Sequence, residues 1–201
     1  MLGLPKTTEL SKQLPKKAIY AKFQMNSAAK DRMDNDVSRI TIVNELSPAR
    51  INIAAGKEIQ SIFVLHIILK HKDFDERNIV AISKLIPQNI LLVLECEQEA
   101  KLAVYHTKLI QTEWKAKEEL TIKIKGLNFD TVWENMITEI GNIEIEQGSS
   151  LDEQISRNER IEKLKKEIDK LEKQARAEKQ PKKKFDLVKK INALKAEVQN
   201  G

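Results

Sequence analysis

A chain of 201 residues with one cysteine, Cys96, has no disulfide framework and no cysteine-based zinc site. No run approaches the roughly eighteen apolar residues of a membrane span, and the amino terminus lacks a signal-peptide core, so a cytoplasmic protein is expected. The net charge of +5 is unevenly placed: residues 1–149 carry 20 basic and 20 acidic side chains, while residues 150–201 carry the other 15 of the 35 basic and 10 of the 30 acidic ones.

Thr7 to Leu14 reads as a short helix closed by Pro15, followed by an extended basic lead-in from Lys16 to Tyr20. Asn26 or Ser27 can cap a helix bearing Ala29, Met33 and Val37 on one side. Ile40 to Leu46 and Ile51 to Ala54 then read as paired strands turned at Ser47-Pro48, and Gly56 allows a second turn. The next run, Ile59 to Lys70, is apolar on both faces and is expected at the centre of the sheet. Asp73 followed by Glu76 opens a helix with Ile79, Ile82 and Ile86 inward. Strands are expected at Ile90 to Glu95, Leu102 to Leu109 and Leu120 to Lys125. Asn128 caps a last helix with the stripe Val132, Trp133, Met136, Ile137 and Ile140.

The final quarter is written in heptads. Ile161, Leu164, Ile168, Leu171 and Ala175 are spaced three, four, three, four, behind a capping box at Ser150 and Glu153. Gln180-Pro181 stops that helix, and Phe185, Val188, Ile191, Leu194 and Val198 give the return helix a matching stripe. The expected fold is α/β, a mixed sheet with flanking helices over residues 1–148, followed by an antiparallel coiled-coil helical hairpin over residues 149–201. Leu151 and Ile155 lie beyond the reach of the return helix and are expected to dock on the rest of the protein or, with Trp114, on a partner.

The order helix, three strands, helix, strand resembles the core of the PD-(D/E)xK nucleases, in which carboxylates hold Mg²⁺ beside a lysine. Glu45, Asp73 and Glu99, with Lys101 two residues after Glu99, are the residues that alternative would use. The third strand, however, offers only Glu58 and Gln60 where the acid and lysine belong. The histidines His66, His71 and His106 form no metal-binding pair, His66 reads as a hydrogen-bonded core imidazole, and no phosphate-binding loop or nucleophile elbow is present. No catalytic residue, metal ligand or cofactor is therefore assigned. Lys173, Arg176, Lys179, Lys182, Lys183 and Lys184 surround the hairpin tip, a density suited to phosphate contacts or to a solvated helix face.

The segments Leu4-Pro5-Lys6, Leu14-Pro15-Lys16-Lys17, Lys101-Leu102-Ala103-Val104-Tyr105, Gln111-Thr112-Glu113-Trp114 and Ala175-Arg176-Ala177-Glu178-Lys179-Gln180-Pro181 together resemble a bacterial family known as a domain of unknown function. Its members tend to be encoded beside helicases and DNA methyltransferases in restriction-like phage-defence loci. The resemblance implies an accessory subunit of a DNA-processing defence system. Joined to the charge partition, it leads to the expectation of a non-catalytic subunit that binds a helicase or methyltransferase, with DNA reached through the basic hairpin. A divergent metal-dependent nuclease and a stand-alone nucleic-acid-binding module stay open as alternatives, as do RNA in place of DNA and dimerisation through the hairpin.

Overall fold

The structure, a computed structural model, describes residues 2–146 and 148–200. The chain divides into two compact units, Met1–Ile143 and Glu144–Gly201.

The first unit is built on a seven-strand mixed sheet. Its strands are β1 (Glu9–Gln13), β2 (Val37–Leu46), β3 (Ile62–Leu69), β4 (Asn89–Cys96), β5 (Glu99–Tyr105), β6 (Leu109–Gln111) and β7 (Lys115–Ala116). The order is β1-β2-β3-β4-β5-β6, with β7 also pairing β5. Of these pairings, β3 with β4 is parallel and the others are antiparallel. Helices α1 (Lys16–Lys22), α2 (Ser27–Asp36), α3 (Glu76–Ser83) and α4 (Phe129–Gly141) complete the unit. The parallel pair requires a crossover, and α3 supplies it.

β3 sits between β2 and β4, and its runs of Ile, Val and Leu are buried on both faces. One core joins Ile19, Met33, Ile40, Leu65, Ile67, Ile79, Ile82 and Leu92 from α1, α2, α3 and the sheet. On α4, Val132, Trp133, Met136, Ile137 and Ile140 are buried behind an Asn128–Thr131 capping box.

Four local expectations are corrected by tertiary pairing. Glu9–Gln13 is an edge strand, not a helix, because the open edge of β2 takes up its backbone: Glu9 faces Asn44 and Gln13 faces Thr41. Lys16–Lys22 is helical, not extended. Ile19 is wholly buried, the Lys16 amine donates to the Val37 carbonyl, and the Lys22 amine donates to the Lys84 and Leu85 carbonyls beyond the end of α3. Ile51 to Ala54 forms no strand with β2, because β1 and β3 already fill both edges of that strand; Ala54 makes only an isolated bridge to Asn128. Leu120 to Lys125 forms no strand either, since β6 and β7 share the outer edge of β5. Thr121 bridges Leu2 while Leu120 and Ile122 point into the core. The cap of α3 is Asp75, whose carboxylate accepts from the Arg77 N–H, in place of Asp73.

The loop after Ala54 is fastened by Asp130. Its carboxylate accepts backbone N–H bonds from Lys57 at 2.6 Å, Glu58 at 3.3 Å and Ile59 at 2.8 Å. A Cβ at Gly56 would lie 2.1 Å from Asp130 Oδ1, so only glycine fits there without displacing the carboxylate. The Ile59 bond, then those from Lys57 and Glu58, hold the Asp130 carboxyl below its ordinary value of 3.8, although burial opposes them. The stability this adds is complete above the ordinary carboxylate range and is lost as pH falls through the lowered value. The thermal midpoint should fall on acidification, and Asp130→Ala should remove that part of the pH dependence in calorimetric melts.

The second unit holds α5 (Leu151–Ala177) and α6 (Pro181–Asn200), joined by Glu178, Lys179 and Gln180. Ser150 and Glu153 close a capping box at the start of α5. The two helices share an apolar cluster of Ile168, Leu171, Ala175 and Ile191, flanked by Leu187, Leu194 and Val198. Leu187 thus occupies the place expected for Phe185 and Val188, which are 70% and 41% exposed. The contacting set 187, 191, 194, 198 runs four, three, four and stays on one stripe, whereas 185, 188, 191 advances by threes and drifts around the helix.

Candidate nucleic-acid interface

Some of the charges of α5 and α6 are paired between the helices and others are not. Along the helices, Lys190 meets Glu167 at 2.8 Å, Lys195 meets Glu172 at 2.7 Å, and Arg160 pairs with Glu197. Around the connection the cations are exposed and largely unmatched. Among the described residues, Lys173, Lys179, Lys182, Lys183, Lys184 and Lys189 have no carboxylate within ion-pair distance, and neither have Lys163, Lys165, Lys166 and Lys170 along α5. Arg176, 81% exposed at its side chain, reaches Glu172 only at 3.7 Å, and Lys195 already holds that carboxylate. Glu178, the acid within the connection, accepts the Gln180 backbone N–H at 2.8 Å.

The placement of these lysines runs against the helix dipole. Asp152 and Glu153 occupy the first turn of α5, where a helix favours negative charge. The first turn of α6 has no acidic residue and carries Lys182, Lys183 and Lys184 immediately after Pro181. Three cations there raise the energy of the free protein, and a bound anion would lower it. Such a local violation in an otherwise well-capped unit is what a binding surface leaves in a sequence. Lys179 and Lys183 also line a groove with Gln174, Ala177, Leu187 and Lys190. The set supplies several mobile ammonium groups, which bind phosphates without reading sequence and release counterions on binding.

Of the three residues expected to dock a partner, Trp114 is half-buried, while Leu151 and Ile155 are buried within the chain at 8% and 2% exposure. Trp114 is held by its own neighbours. The Lys101 ammonium lies 4.8 Å from the ring centres of both Trp114 and Phe74, and that of Lys72 lies 5.6 Å from Trp114. Burial pushes the pKa of Lys101 down, with Glu76 and Glu113 acting against it. Trp114→Ala removes a ring that packs against the core and faces the Lys101 ammonium, and should lower stability by about 2 kcal/mol, measurable by urea unfolding.

Of the nuclease candidates, Glu45 is separated from the other three, which lie near one another around Lys72 and Phe74. Glu45 faces Phe63 at the start of β3 and is paired with Arg50 at 3.0 Å. Asp73 lies past Leu69, at the other end of the strand, roughly 20 Å away along β3. Glu99 pairs with Lys72, and Lys101 is enclosed by aromatic rings. The order of elements also differs from the nuclease core, since α2 is followed by two strands before α3. Among the described residues no three of His, Cys, Asp and Glu are grouped to hold a metal ion. His66 Nε2 lies 2.8 Å from Glu95 Oε2, with its ring mostly buried. The nuclease alternative requires plasmid DNA to be cut with Mg²⁺ or Mn²⁺ and the cutting to be lost in Glu45→Ala, Asp73→Ala or Glu99→Ala, read on an agarose gel; intact plasmid is expected.

Sequence reasoning singled out six cations around the connection and not Lys189, and it placed in the seam Phe185 and Val188, which are exposed. The regular four, three, four spacing from Leu187 was the signal that could have corrected it. No helix among the described residues is long and apolar enough to cross a membrane. Comparison with curated proteins found no match, and neither did comparison with solved structures. What does match is the sequence as a whole, body and basic helix pair together: residues 2–198 fit the family model described as Domain of unknown function (DUF4391), and the chain belongs to that family.

Proposed function

We propose that this protein is a non-catalytic accessory subunit of a DNA-processing, restriction-like anti-phage system. In this reading the α/β unit docks a helicase or DNA methyltransferase partner beside Trp114, and the basic end of the helix pair contacts nucleic-acid phosphates. The observation that carries it is the run of Lys182, Lys183 and Lys184 in the first turn of α6, which holds no acidic residue to offset them. Free ammonium groups crowded into the first turn of α6 are costly unless an anion meets them.

The second unit is read further as an antiparallel coiled-coil hairpin with the cations at its tip. The short connection 178–180, the shared apolar cluster and the Arg160–Glu197 pair support that geometry. The excess positive charge of the chain lies in this unit, since residues 1–149 are neutral overall.

The test is recovery of partners from the native host. The tagged full chain should bring down a helicase or DNA methyltransferase in stoichiometric amount, identified by mass spectrometry after nuclease treatment. Nucleic-acid binding with no protein partner would instead favour a stand-alone binding module. DNA cleavage by the isolated chain would revive the nuclease alternative.

A further inference from the structure

Phe185 and Val188 are large apolar residues left in water on a helix that already has a complete apolar seam. At 3.6 residues per turn, Phe185 lies roughly 150° around α6 from the stripe of Leu187, Ile191, Leu194 and Val198. Its own face carries Lys182 and Lys189, three residues before it and four after, together with Val188 and Asn192, and all five residues are exposed. An aromatic ring therefore stands on the outer surface of α6 between two unpaired ammonium groups about 10 Å apart along the axis.

From this arrangement we propose that the outer face of α6 binds single-stranded nucleic acid, with a base stacked on Phe185 and the flanking phosphates on Lys182 and Lys189. The inference rests on the phosphate-binding role proposed above and names its ligand more closely. Duplex binding through the backbone needs the lysines alone, because paired bases are stacked inside the helix and present no free face. An unpaired strand offers both groups in alternation, a phosphate for each cation and a base for the ring. The apolar patch, one ring and one branched side chain among lysines and an asparagine, is small for a protein interface, whose core is a contiguous and largely uncharged surface. The positive surroundings specify an anionic ligand. Stacking is tolerant of base identity, so little sequence preference is expected.

Fluorescence anisotropy of the full chain with labelled oligothymidine, the equivalent oligouridine and a DNA duplex tests this. Tighter binding of either single strand than of the duplex is expected, and the two single-stranded probes report whether DNA or RNA is favoured. Phe185→Ala should weaken single-strand binding on the order of ten-fold and leave duplex binding and the salt dependence unchanged, while Phe185→Trp should restore it. Because Phe185 is exposed, circular dichroism should show both variants fully folded. Equal loss for single strand and duplex, or no loss for either, overturns the inference. If Lys182→Glu with Lys183→Glu and Lys184→Glu weakens binding but Phe185→Ala does not, the stacking inference alone fails. If the lysine reversals have no effect, the phosphate-binding role fails with it. Binding to anionic phospholipid vesicles in place of nucleic acid also overturns it.

Discussion

Reversing Lys182, Lys183 and Lys184 to Glu together should weaken nucleic-acid binding at low salt by on the order of a hundred-fold, and should make the log–log salt dependence shallower by about 3. Each lysine that sits on a phosphate displaces close to one counterion, so the slope counts contacts directly, and the difference between wild type and variant should shrink as salt rises. The same change should leave the thermal midpoint of the protein unchanged or raise it. All three lysines lie in the first turn of α6, where the helix dipole opposes positive charge and favours the introduced acids. Loss of binding with equal or greater stability identifies residues kept for their ligand. A fall in both would make the lysines structural, and an unchanged salt slope would remove the connection from the binding surface.

The second large effect concerns the seam. Ile191 is 5% exposed and clusters with Ile168, Leu171 and Ala175, so Ile191→Ala should destabilise the helix pair by about 2 to 4 kcal/mol. Phe185→Ala, only six residues earlier on the same helix, should change stability by less than about 0.5 kcal/mol because its ring is 70% exposed. Leu187→Ala should fall between them, since Leu187 is partly buried against the cluster. Thermal melts followed at 222 nm would rank the three. A large loss for Phe185→Ala would place it in the seam and displace Leu187. The comparison matters for function because a ring in the seam cannot meet a base. Most helical stability in proteins comes from the packing of an apolar face, so the seam, rather than intrinsic propensity, holds the lysines in position.

Strongly periodic elements were readable from the chain. The caps at Asn26, Asn128 and Ser150 each accept the expected backbone N–H, and β3 was placed at the sheet centre because Ile62 to Leu69 is apolar on both faces. Segments with weak or conflicting periodicity were not readable. Glu9–Gln13 is mostly exposed and carries no alternation to mark it as a strand; its backbone is defined by the partner it finds on β2. Ile51 to Ala54 has the composition of a strand and no free edge to join. Lys16–Lys22 becomes a helix through one buried isoleucine and two lysine amines that reach carbonyls far away in sequence.

The candidate site divides along the same line. Charge partition, heptad spacing and the lysine cluster are properties of composition and order, so the sequence by itself determined that a neutral α/β unit precedes a basic pair of helices. Which lysines are neutralised, and which apolar residues remain in water, depends on how two helices pack. Tertiary structure therefore decided that Leu187 enters the seam, that Phe185 stands between Lys182 and Lys189, and that Glu45 and Asp73 lie at opposite ends of β3. A side chain's partner is set by the register of its element against a neighbour, and a shift of one or two residues in that register exchanges a buried contact for an exposed one.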